Sequence, residues 1–306
     1  MKKLTLFIVL SLIIQAYVLS QSCLPEGITF TTQAEIDNFQ TNYPNCNEIE
    51  GDVMINGNDI YNLNGLNVLT TIMGDLKIDD NDTLTNLTGL DNVTSIGGDL
   101  WIVYNYVLST LTGLENITSI DGDIIIGGYW DAGNPSMTSL TGLDNMTSIG
   151  GGLRIINNDA LISLSALDNV TSVGGCITIY GNDALTSLTG INNVTSIAEF
   201  IWIYHNDALT SIAAFDNMTS IGGGLCIQSN AALTSLTGFD NVTSIGEGLE
   251  INNNNVLMSL TGLNNVTSIG GILRIEHNDA LTSLTGMDNI NAGSISYLSI
   301  VDNSSL

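Results

Sequence analysis

The segment Asn92-Val-Thr-Ser-Ile-Gly-Gly-Asp-Leu-Trp-Ile-Val-Tyr-Asn105 contains one corner and one strand of a unit that is repeated along the chain. Its opening Asn-x-Thr-Ser-Ile returns, with close variants, at spacings of 24 residues and one of 29. Fixed self-similarity of this kind is the signature of a stacked array. The sequence therefore predicts an elongated repeat protein. The copies begin at Asn92, Asn116, Asn145, Asn169, Asn193, Asn217, Asn241 and Asn265.

The apolar positions of one repeat are shared by nearly all copies. Leu100 and Ile102 alternate with Trp101, which predicts a short strand with both aliphatic side chains inside and the indole outside. At the preceding corner, Gly97 and Gly98 are expected to adopt the positive φ that glycine tolerates. Parallel stacking at about 4.8 Å per turn gives an all-β, parallel β-solenoid about 50 Å long. About eleven 24-residue turns follow residue 51, with inward rows such as Leu87, Leu90, Val93, Ile96, Leu100, Ile102 and Leu108.

A recurrent asparagine closes each Leu-x-Ile-x-x-Asn unit. Its amide is suited to an internal ladder, because it can bond to backbone groups of neighbouring turns that would otherwise be buried and unpaired. The fourth turn carries Tyr129 at this position, so the insertion spread over 127–136 is expected to break the ladder. The predicted ladder is Asn58, Asn81, Asn105, Asn158, Asn182, Asn206, Asn230, Asn254, Asn278 and Asn303.

Three segments are predicted along the chain. Residues 1–20 have the basic start and apolar centre of a secretory signal peptide. In residues 21–50, Thr32 and Glu35 form a capping box for a short helix, tied by a Cys23–Cys46 disulfide, that covers the first turn's open core. Residues 51–306 form the solenoid, and since the repeat runs to Leu306 without a cap, we expect further sequence to follow it.

The Leu-x-Ile-x-x-Asn-x-x-Leu units, such as Leu273-Arg-Ile-Glu-His-Asn-Asp-Ala-Leu281, resemble leucine-rich repeats. With Gly-Gly before the strand, Thr-Ser-Ile before that and a helix between two cysteines at the start, residues 21–306 resemble the receptor L-domain-like proteins secreted by Bacteroidetes-type bacteria. The resemblance implies a right-handed β-solenoid with a recognition or surface role. It brings no catalytic motif.

The charge of the chain restricts its partners. Removal of residues 1–20 leaves 3 basic and 31 acidic side chains, a formal charge of 3 minus 31, or −28. Nucleic acid is excluded as a partner, because binding to phosphates requires clustered lysine and arginine. No segment after residue 20 has the roughly 20 uninterrupted apolar residues of a membrane helix. The expected location is therefore secreted, either extracellular or on a bacterial cell surface.

The outward strand position carries the chemically distinctive side chains, including Trp101, Trp202 and all three remaining cations. Rigid aromatics beside a few charges suit contacts with a sugar or a protein, although aromatics also pair well across exposed strands without binding anything. We predict a recognition or adhesion module for a glycan or an extracellular protein, with no enzymatic activity, cofactor or metal. The candidate ligand-binding residues are Trp101, Tyr104, Tyr129, Trp130, Arg154, Tyr180, Phe200, Trp202, Tyr204 and Arg274.

Other rows leave three alternative functions open. One is a passive structural protein of the cell surface. A second follows from Asp52, Asp75, Asp99 and Asp123, an acidic row interpreted first as a solvated turn. That row would also suit weak Ca²⁺ binding, or acid–base chemistry as in polysaccharide-cleaving β-helix enzymes.

The third alternative is ice binding, which the repeated threonine row suggests. The same Asn-x-Thr row matches the glycosylation sequon. Glycans about 5 Å apart could not all be accommodated, so the motif is interpreted as turn chemistry. The threonines are Thr94, Thr118, Thr147, Thr171, Thr195, Thr219, Thr243 and Thr267.

Overall fold

A computed structural model describes residues 22–129 and 133–306. The predicted signal peptide, residues 1–20, and the candidate Trp130 lie outside the described residues. The described chain forms an all-β parallel solenoid of about twelve turns with very little helix, which confirms the predicted fold class. The extra turn comes from residues 22–50, which supply the first strand of two sheets besides two short helices.

One long parallel sheet runs the length of the solenoid. It has twelve strands in chain order, each paired with the strand of the next turn. Short parallel strands are stable here because nearly every turn buries an aliphatic pair, such as Leu100 and Ile102, on the inner face. The strands are Ile28–Phe30, Val53–Ile55, Leu76–Asp79, Leu100–Val103, Ile124–Gly127, Leu153–Ile156, Ile177–Tyr180, Ile201–Tyr204, Leu225–Gln228, Leu249–Asn252, Ile272–Glu276 and Tyr297–Val301.

Two-residue strands form a second layer just before the corner. They make a seven-stranded and a four-stranded parallel sheet. The first consists of Ser22–Cys23, Glu48–Ile49, Thr71–Ile72, Ser95–Ile96, Ser119–Ile120, Ser148–Ile149 and Ser172–Val173. The second consists of Ser196–Ile197, Ser220–Ile221, Ser244–Ile245 and Ser268–Ile269. Single 3₁₀ turns occupy Asn64–Leu66, Ser165–Leu167, Ala213–Phe215 and Ala292–Ser294.

The core is a continuous column of aliphatic side chains. Members of the predicted inward rows, such as Leu87, Leu108 and Ile102, are completely buried. Each contributes about 1.5–3 kcal/mol relative to an exposed position. Since every turn contacts only its neighbours, this stabilisation accumulates turn by turn.

The N-terminal segment contains the predicted capping box. Helices Gln33–Asp37 and Phe39–Asn42 follow Thr32, whose side chain accepts from the Glu35 backbone N–H. Ile36 and Phe39 are buried, and Phe39 meets Phe30 edge-to-face at 5.7 Å between ring centroids. The helix carbonyl of Ile36 lies against Gly65 of the next turn, where a β-carbon would overlap it. The helices thus pack on the following turn, and a disulfide joins Cys23 to Cys46 with their Cα atoms 5.7 Å apart.

The internal asparagine ladder is built from side chains that are almost all completely buried. In each rung the amide oxygen accepts the backbone N–H of the preceding rung, as between Asn158 and Asn182 at 3.1 Å. The amide nitrogen of Asn182 donates to the carbonyls of Ile155 and Tyr180, both at 3.0 Å. Every rung therefore satisfies backbone groups that water cannot reach.

Two predictions about this ladder are wrong. Asn58 is exposed, and Gly57 occupies the ladder position instead, because its N–H donates to Asn81 Oδ1 at 3.0 Å. The insertion does not break the ladder either, since Asn134 rather than Tyr129 fills the position and accepts from the Asn105 N–H at 2.9 Å. The ladder runs through Asn81, Asn105, Asn134, Asn158, Asn182, Asn206, Asn230, Asn254, Asn278 and Asn303.

The chain can absorb the insertion because the extra residues precede the ladder position. Tyr104, just before its ladder asparagine, has a left-handed φ of 56°, and Gly133 has a φ of 52° before Asn134. The residue three positions after the asparagine is again a buried apolar side chain, Met137 in place of Leu108. Backbone conformation and core packing are thus restored as soon as the inserted residues end.

The glycines before the strand do not have the expected positive φ. Gly97 and Gly98 are absent from the left-handed positions, which fall instead at glycines such as Gly89, with a φ of 115°. Close approach explains the pair: a β-carbon at Gly97 would lie 2.3 Å from the Met73 carbonyl oxygen, and one at Gly98 2.2 Å from Asp75 Oδ1. Neighbouring turns therefore touch at this corner.

Candidate functional site

The outward strand position forms a straight row across the long sheet, hereafter the outward row. Parallel pairing without register shifts stacks one such residue from each turn at about 4.8 Å. Predicted site residues therefore lie on one face. In order, the row contains Thr29, Met54, Lys77, Trp101, Ile125, Arg154, Thr178, Trp202, Cys226, Glu250, Arg274 and Ser299.

Aromatic residues form two patches on this face, and the first consists of Trp101 and Tyr104. Trp101 has partners from its own chain. Its indole N–H donates to Asp99 Oδ2 at 3.2 Å, and the Lys77 ammonium lies 5.6 Å from the ring centroid. The same ammonium is 3.0 Å from Asp75 Oδ2. Lys77 is thus held between an aromatic face and a carboxylate, a cation–π arrangement. The nearby Tyr104 ring packs on Gly128, where an added β-carbon would overlap it.

Arg154 and Tyr129 lie near the middle of the row. Arg154 forms an ion pair with Asp123, whose other oxygen accepts the Gly152 N–H at 2.6 Å. Burial opposes the charge of Arg154, but the bond to Asp123 raises its pKa overall. Tyr129 is 47% exposed, and its pKa is raised by partial burial against a smaller opposing effect of Arg154. The insertion therefore places one aromatic ring beside an already neutralised cation.

The second aromatic patch, defined as Tyr180, Phe200, Trp202 and Tyr204, contains two stacked pairs. The Tyr180 and Tyr204 ring centroids are 4.4 Å apart, and those of Phe200 and Trp202 are 5.3 Å apart. Trp202 is 38% exposed. His205 contacts both tyrosines edge-to-face, at 5.8 and 6.1 Å. The structure thus brings four predicted residues together into one rigid aromatic surface.

Arg274 lies apart from the aromatic residues. It pairs with Glu250 at 2.7 Å and with Glu276 at 3.4 Å. Together with Lys77 and Arg154, this means that every lysine and arginine within residues 22–129 and 133–306 is ion-paired. The outward face consequently offers an anionic ligand no unpaired cation from the described chain.

The acidic row is partly solvated, as expected for a turn, and it also forms a second ladder between turns. Asp75 Oδ1 accepts the Asp99 N–H at 2.9 Å, and Asp99 Oδ1 accepts the Asp123 N–H at 2.7 Å. Burial raises the pKa of Asp75, but the Asp99 N–H and Lys77 outweigh it, so the net pKa is lowered. One oxygen of each carboxylate therefore has a structural role, which accounts for the row without acid–base chemistry.

The threonine and sequon rows are likewise engaged in contacts between turns. The Thr147 hydroxyl donates to the Thr118 carbonyl at 3.0 Å, and the Thr94 hydroxyl to the Thr70 carbonyl at 3.2 Å. The Asn145 amide donates to the Glu115 carbonyl at 2.8 Å. These bonds support the interpretation of the Asn-x-Thr motif as turn chemistry.

Comparison with known families gives one match. Residues 45–112 match the family model of the Receptor L domain. Over these residues the chain is similar to the receptor L domain, and they form part of a parallel β-solenoid. The match covers the first turns, and the remaining turns continue the same sheet and ladder without interruption through the described residues. No curated protein matches the chain significantly.

The receptor L-domain family is one of ligand-binding recognition modules. An extracellular family and a disulfide fit an extracellular location for this receptor L-domain-like solenoid. In the described part of the chain, no helix has the length and apolar character needed to cross a membrane. Within the same residues, no cluster of three or more histidine, cysteine or acidic side chains is arranged to hold a metal ion. Weak Ca²⁺ binding stays a prediction.

Two features of the face were missed from the sequence. The aspartate ladder could have been found, since Gly-Asp recurs at the 24-residue period and glycine marks close approach. The other is a groove over Gly224 and Gly248, at the position where earlier turns carry aspartates. The sequence signal for this groove is glycine at the former aspartate position in two successive turns.

Proposed function

We propose that this receptor L-domain-like solenoid is a secreted recognition or adhesion module of the bacterial cell surface, which binds a glycan or an extracellular protein through its outward face. The observation that carries the proposal is the second aromatic patch. Its stacked pairs present flat apolar surface with rotamers fixed by their neighbours, so little conformational entropy is lost when a ligand covers them.

The surrounding chemistry supports recognition rather than catalysis. Asp75 and Asp99, which belong to the acidic row considered for catalysis, accept backbone hydrogen bonds between turns. The exposed aromatic patch makes no comparable contribution to the core, since Trp202 lies on the outer side of a strand whose inner residues Ile201 and Ile203 are buried. Side chains that are ordered but not needed for packing are the ones available for a ligand.

The experiment is a binding screen with the wild-type protein and the double variant Trp101→Ala/Trp202→Ala, using a glycan array and a panel of extracellular proteins. We expect at least one saturable ligand whose affinity falls more than tenfold in the double variant, because aromatic anchors carry much of the binding energy. Tyr61→Ala is the control, since Tyr61 is 60% exposed but lies off the outward row. Unchanged binding of every ligand in the double variant would refute the proposal, and no saturable ligand at all would favour a passive structural role.

A further inference from the structure

A groove of about 420 Å³ lies beside the second aromatic patch on the outward face. Its floor is the backbone of Gly224 and Gly248, and Phe200 and Ile272 lie at its two ends. Phe200 and Ile272 are three turns apart, so the groove is about 14 Å long. A β-carbon added at Gly248 would come no closer than 3.5 Å to the nearest atom, so this floor position has room for a side chain.

The walls of the groove combine an aromatic face with carboxylates. Trp202 stacks on Phe200 and exposes 38% of its surface. Glu250 lies two turns further along the outward row, about 10 Å from Trp202, and Glu247 lies across the floor. Glu247 is exposed and forms no ion pair with any residue of the described chain.

The Trp101 site of the same molecule shows that an aromatic ring beside a carboxylate can bind an ammonium group. At the other tryptophan of the outward row, the Lys77 ammonium lies 5.6 Å from the Trp101 centroid and 3.0 Å from Asp75. The lysine stem lies along the strand face while its charge rests between a ring and a carboxylate. Trp101 is thus already covered by a cation of its own chain.

At Trp202 the chain supplies no such cation. Its neighbours in the outward row are Thr178 and Cys226, both uncharged, because burial and the Glu250 carboxylate raise the pKa of the Cys226 thiol to about 11. Arg274 is held by Glu250 and Glu276 on the far side of the groove. Trp202 and the Glu247 carboxylate are therefore present without a cation of their own chain, whereas Glu250 already holds Arg274.

We infer that the groove binds a lysine side chain presented by an extended basic segment of a partner protein. The inference rests on the proposed function, because it names the ligand class of the same face. A formal charge of −26 on the whole chain attracts a basic partner over long range. A length of about 14 Å accommodates about four residues of extended peptide, which would place one lysine over Trp202 and another beside Glu247.

The test is calorimetric titration with a blocked tetralysine peptide at about 20 mM salt, where screening is weak. We expect Gly248→Leu, which fills the groove, and Trp202→Ala each to weaken binding at least tenfold. Gly293→Leu is the matched control, since Gly293 is exposed and is not one of the residues that line the groove. Glu247→Gln should weaken binding more than Glu26→Gln, an exposed carboxylate elsewhere. Equal effects of the two carboxylate variants would show diffuse charge attraction and overturn the inference.

Ligand-side controls separate the chemistry from its alternatives. The same peptide with acetylated lysines keeps the stems but loses the charge, and we expect its binding to fall at least tenfold. Undiminished binding of that peptide, or binding of a glucosamine tetramer in the groove without binding of tetralysine, overturns the inference. Lys77→Ala uncovers Trp101 beside Asp75 and should raise the peptide stoichiometry from one to two. A stoichiometry that stays at one overturns the comparison with Trp101.

The failure of this inference can be told apart from failure of the proposed function. If tetralysine does not bind, but a ligand from the screening panel binds and is lost in Trp101→Ala/Trp202→Ala, the face is a recognition surface with a different ligand. Far-UV circular dichroism and urea unfolding of each variant establish that the solenoid is intact. Loss of the peptide in a folded Gly248→Leu protein, with retention in folded Gly293→Leu, supports the groove itself.

Discussion

Replacing one rung of the asparagine ladder, Asn182→Ala, should destabilise the solenoid far more than a single surface hydrogen bond would. The Asn182 side chain makes five hydrogen bonds of 3.0–3.3 Å, to two backbone carbonyls, one backbone N–H and two neighbouring rungs. Alanine removes all five and leaves the buried Asn158 N–H without its acceptor. The Tyr180 carbonyl keeps its bond from the Asn157 N–H at 2.8 Å, so not every partner is orphaned.

Adding about 1–3 kcal/mol for the orphaned N–H to about 0.5–1.5 kcal/mol for each of the other four bonds gives about 3–9 kcal/mol. We expect a loss of about 3–5 kcal/mol, at the lower end, because the Asn182 amide nitrogen shares two hydrogens among three acceptors and these bonds do not add in full. This is a large share of the roughly 5–15 kcal/mol that stabilises an ordinary domain. The control is Asn193→Ala, which removes one exposed bond to the Asp168 carbonyl at 2.7 Å. We expect the control to lose about 0.5–1.5 kcal/mol.

The measurement is urea unfolding followed by circular dichroism and tryptophan fluorescence, fitted for both midpoint and slope. The slope matters because a repeat protein with one weakened turn can unfold in parts, which lowers the apparent cooperativity. Hydrogen exchange should show the largest loss of protection in the turns next to residue 182. If Asn182→Ala loses no more stability than Asn193→Ala, the ladder does not carry the energy assigned to it.

Three further predictions follow from the contacts of single side chains. Asn134→Ala should cost about 3–5 kcal/mol, as for any internal rung, whereas Asn58→Ala should cost less than about 0.5, and equal losses in urea unfolding would contradict the corrected ladder. The lowered pKa of Asp75 stabilises the fold above the unfolded pKa of about 3.9, and this contribution is lost as pH falls through the folded value. Asp75→Asn should therefore destabilise the protein at pH 7, with the difference from wild type vanishing in acid. Burial raises the pKa of Asp79, so its ionised form is disfavoured in the folded protein and Asp79→Asn should stabilise the protein at pH 7. If Asp75→Asn and Asp79→Asn change the free energy of unfolding at pH 7 in the same direction, the opposite roles given to the two carboxylates are wrong. The Cys226 thiol, with a pKa of about 11, should react with iodoacetamide near pH 7.5 about a hundredfold more slowly than an unperturbed thiol, and mass spectrometry of the labelled peptide would reveal a faster reaction.

The candidate ligand-binding face was only partly predictable from the sequence. The sequence placed Trp101 and Trp202 on one outer row, because strand alternation and a constant period fix which way a residue points. It did not predict that Lys77 covers one tryptophan and leaves the other free. That difference depends on the rotamers of long side chains and on which carboxylate lies within reach, and neither repeats with the period.

The asparagine ladder shows where sequence periodicity was no longer sufficient to assign its members. Rungs separated by a constant 24 residues were assigned correctly, since identical turns present identical backbone groups. Asn58 and Tyr129 were assigned wrongly, because each lies in a turn whose length differs and counting residues no longer identifies the rung. There the buried N–H groups of Gly57 and Asn105 decide the register, because each bonds to the asparagine that reaches it.

The amino-acid sequence by itself determined the solenoid, its period, its inward rows and the bonding role of its asparagines. It could do so because each turn packs on nearly identical turns, so equivalent positions of successive repeats are also the residues that contact each other. Only the tertiary structure decided the passage of the ladder through Asn134, the aspartate ladder and the groove over Gly224 and Gly248. These features arise from hydrogen bonds and spaces between turns that differ, which no single repeat contains.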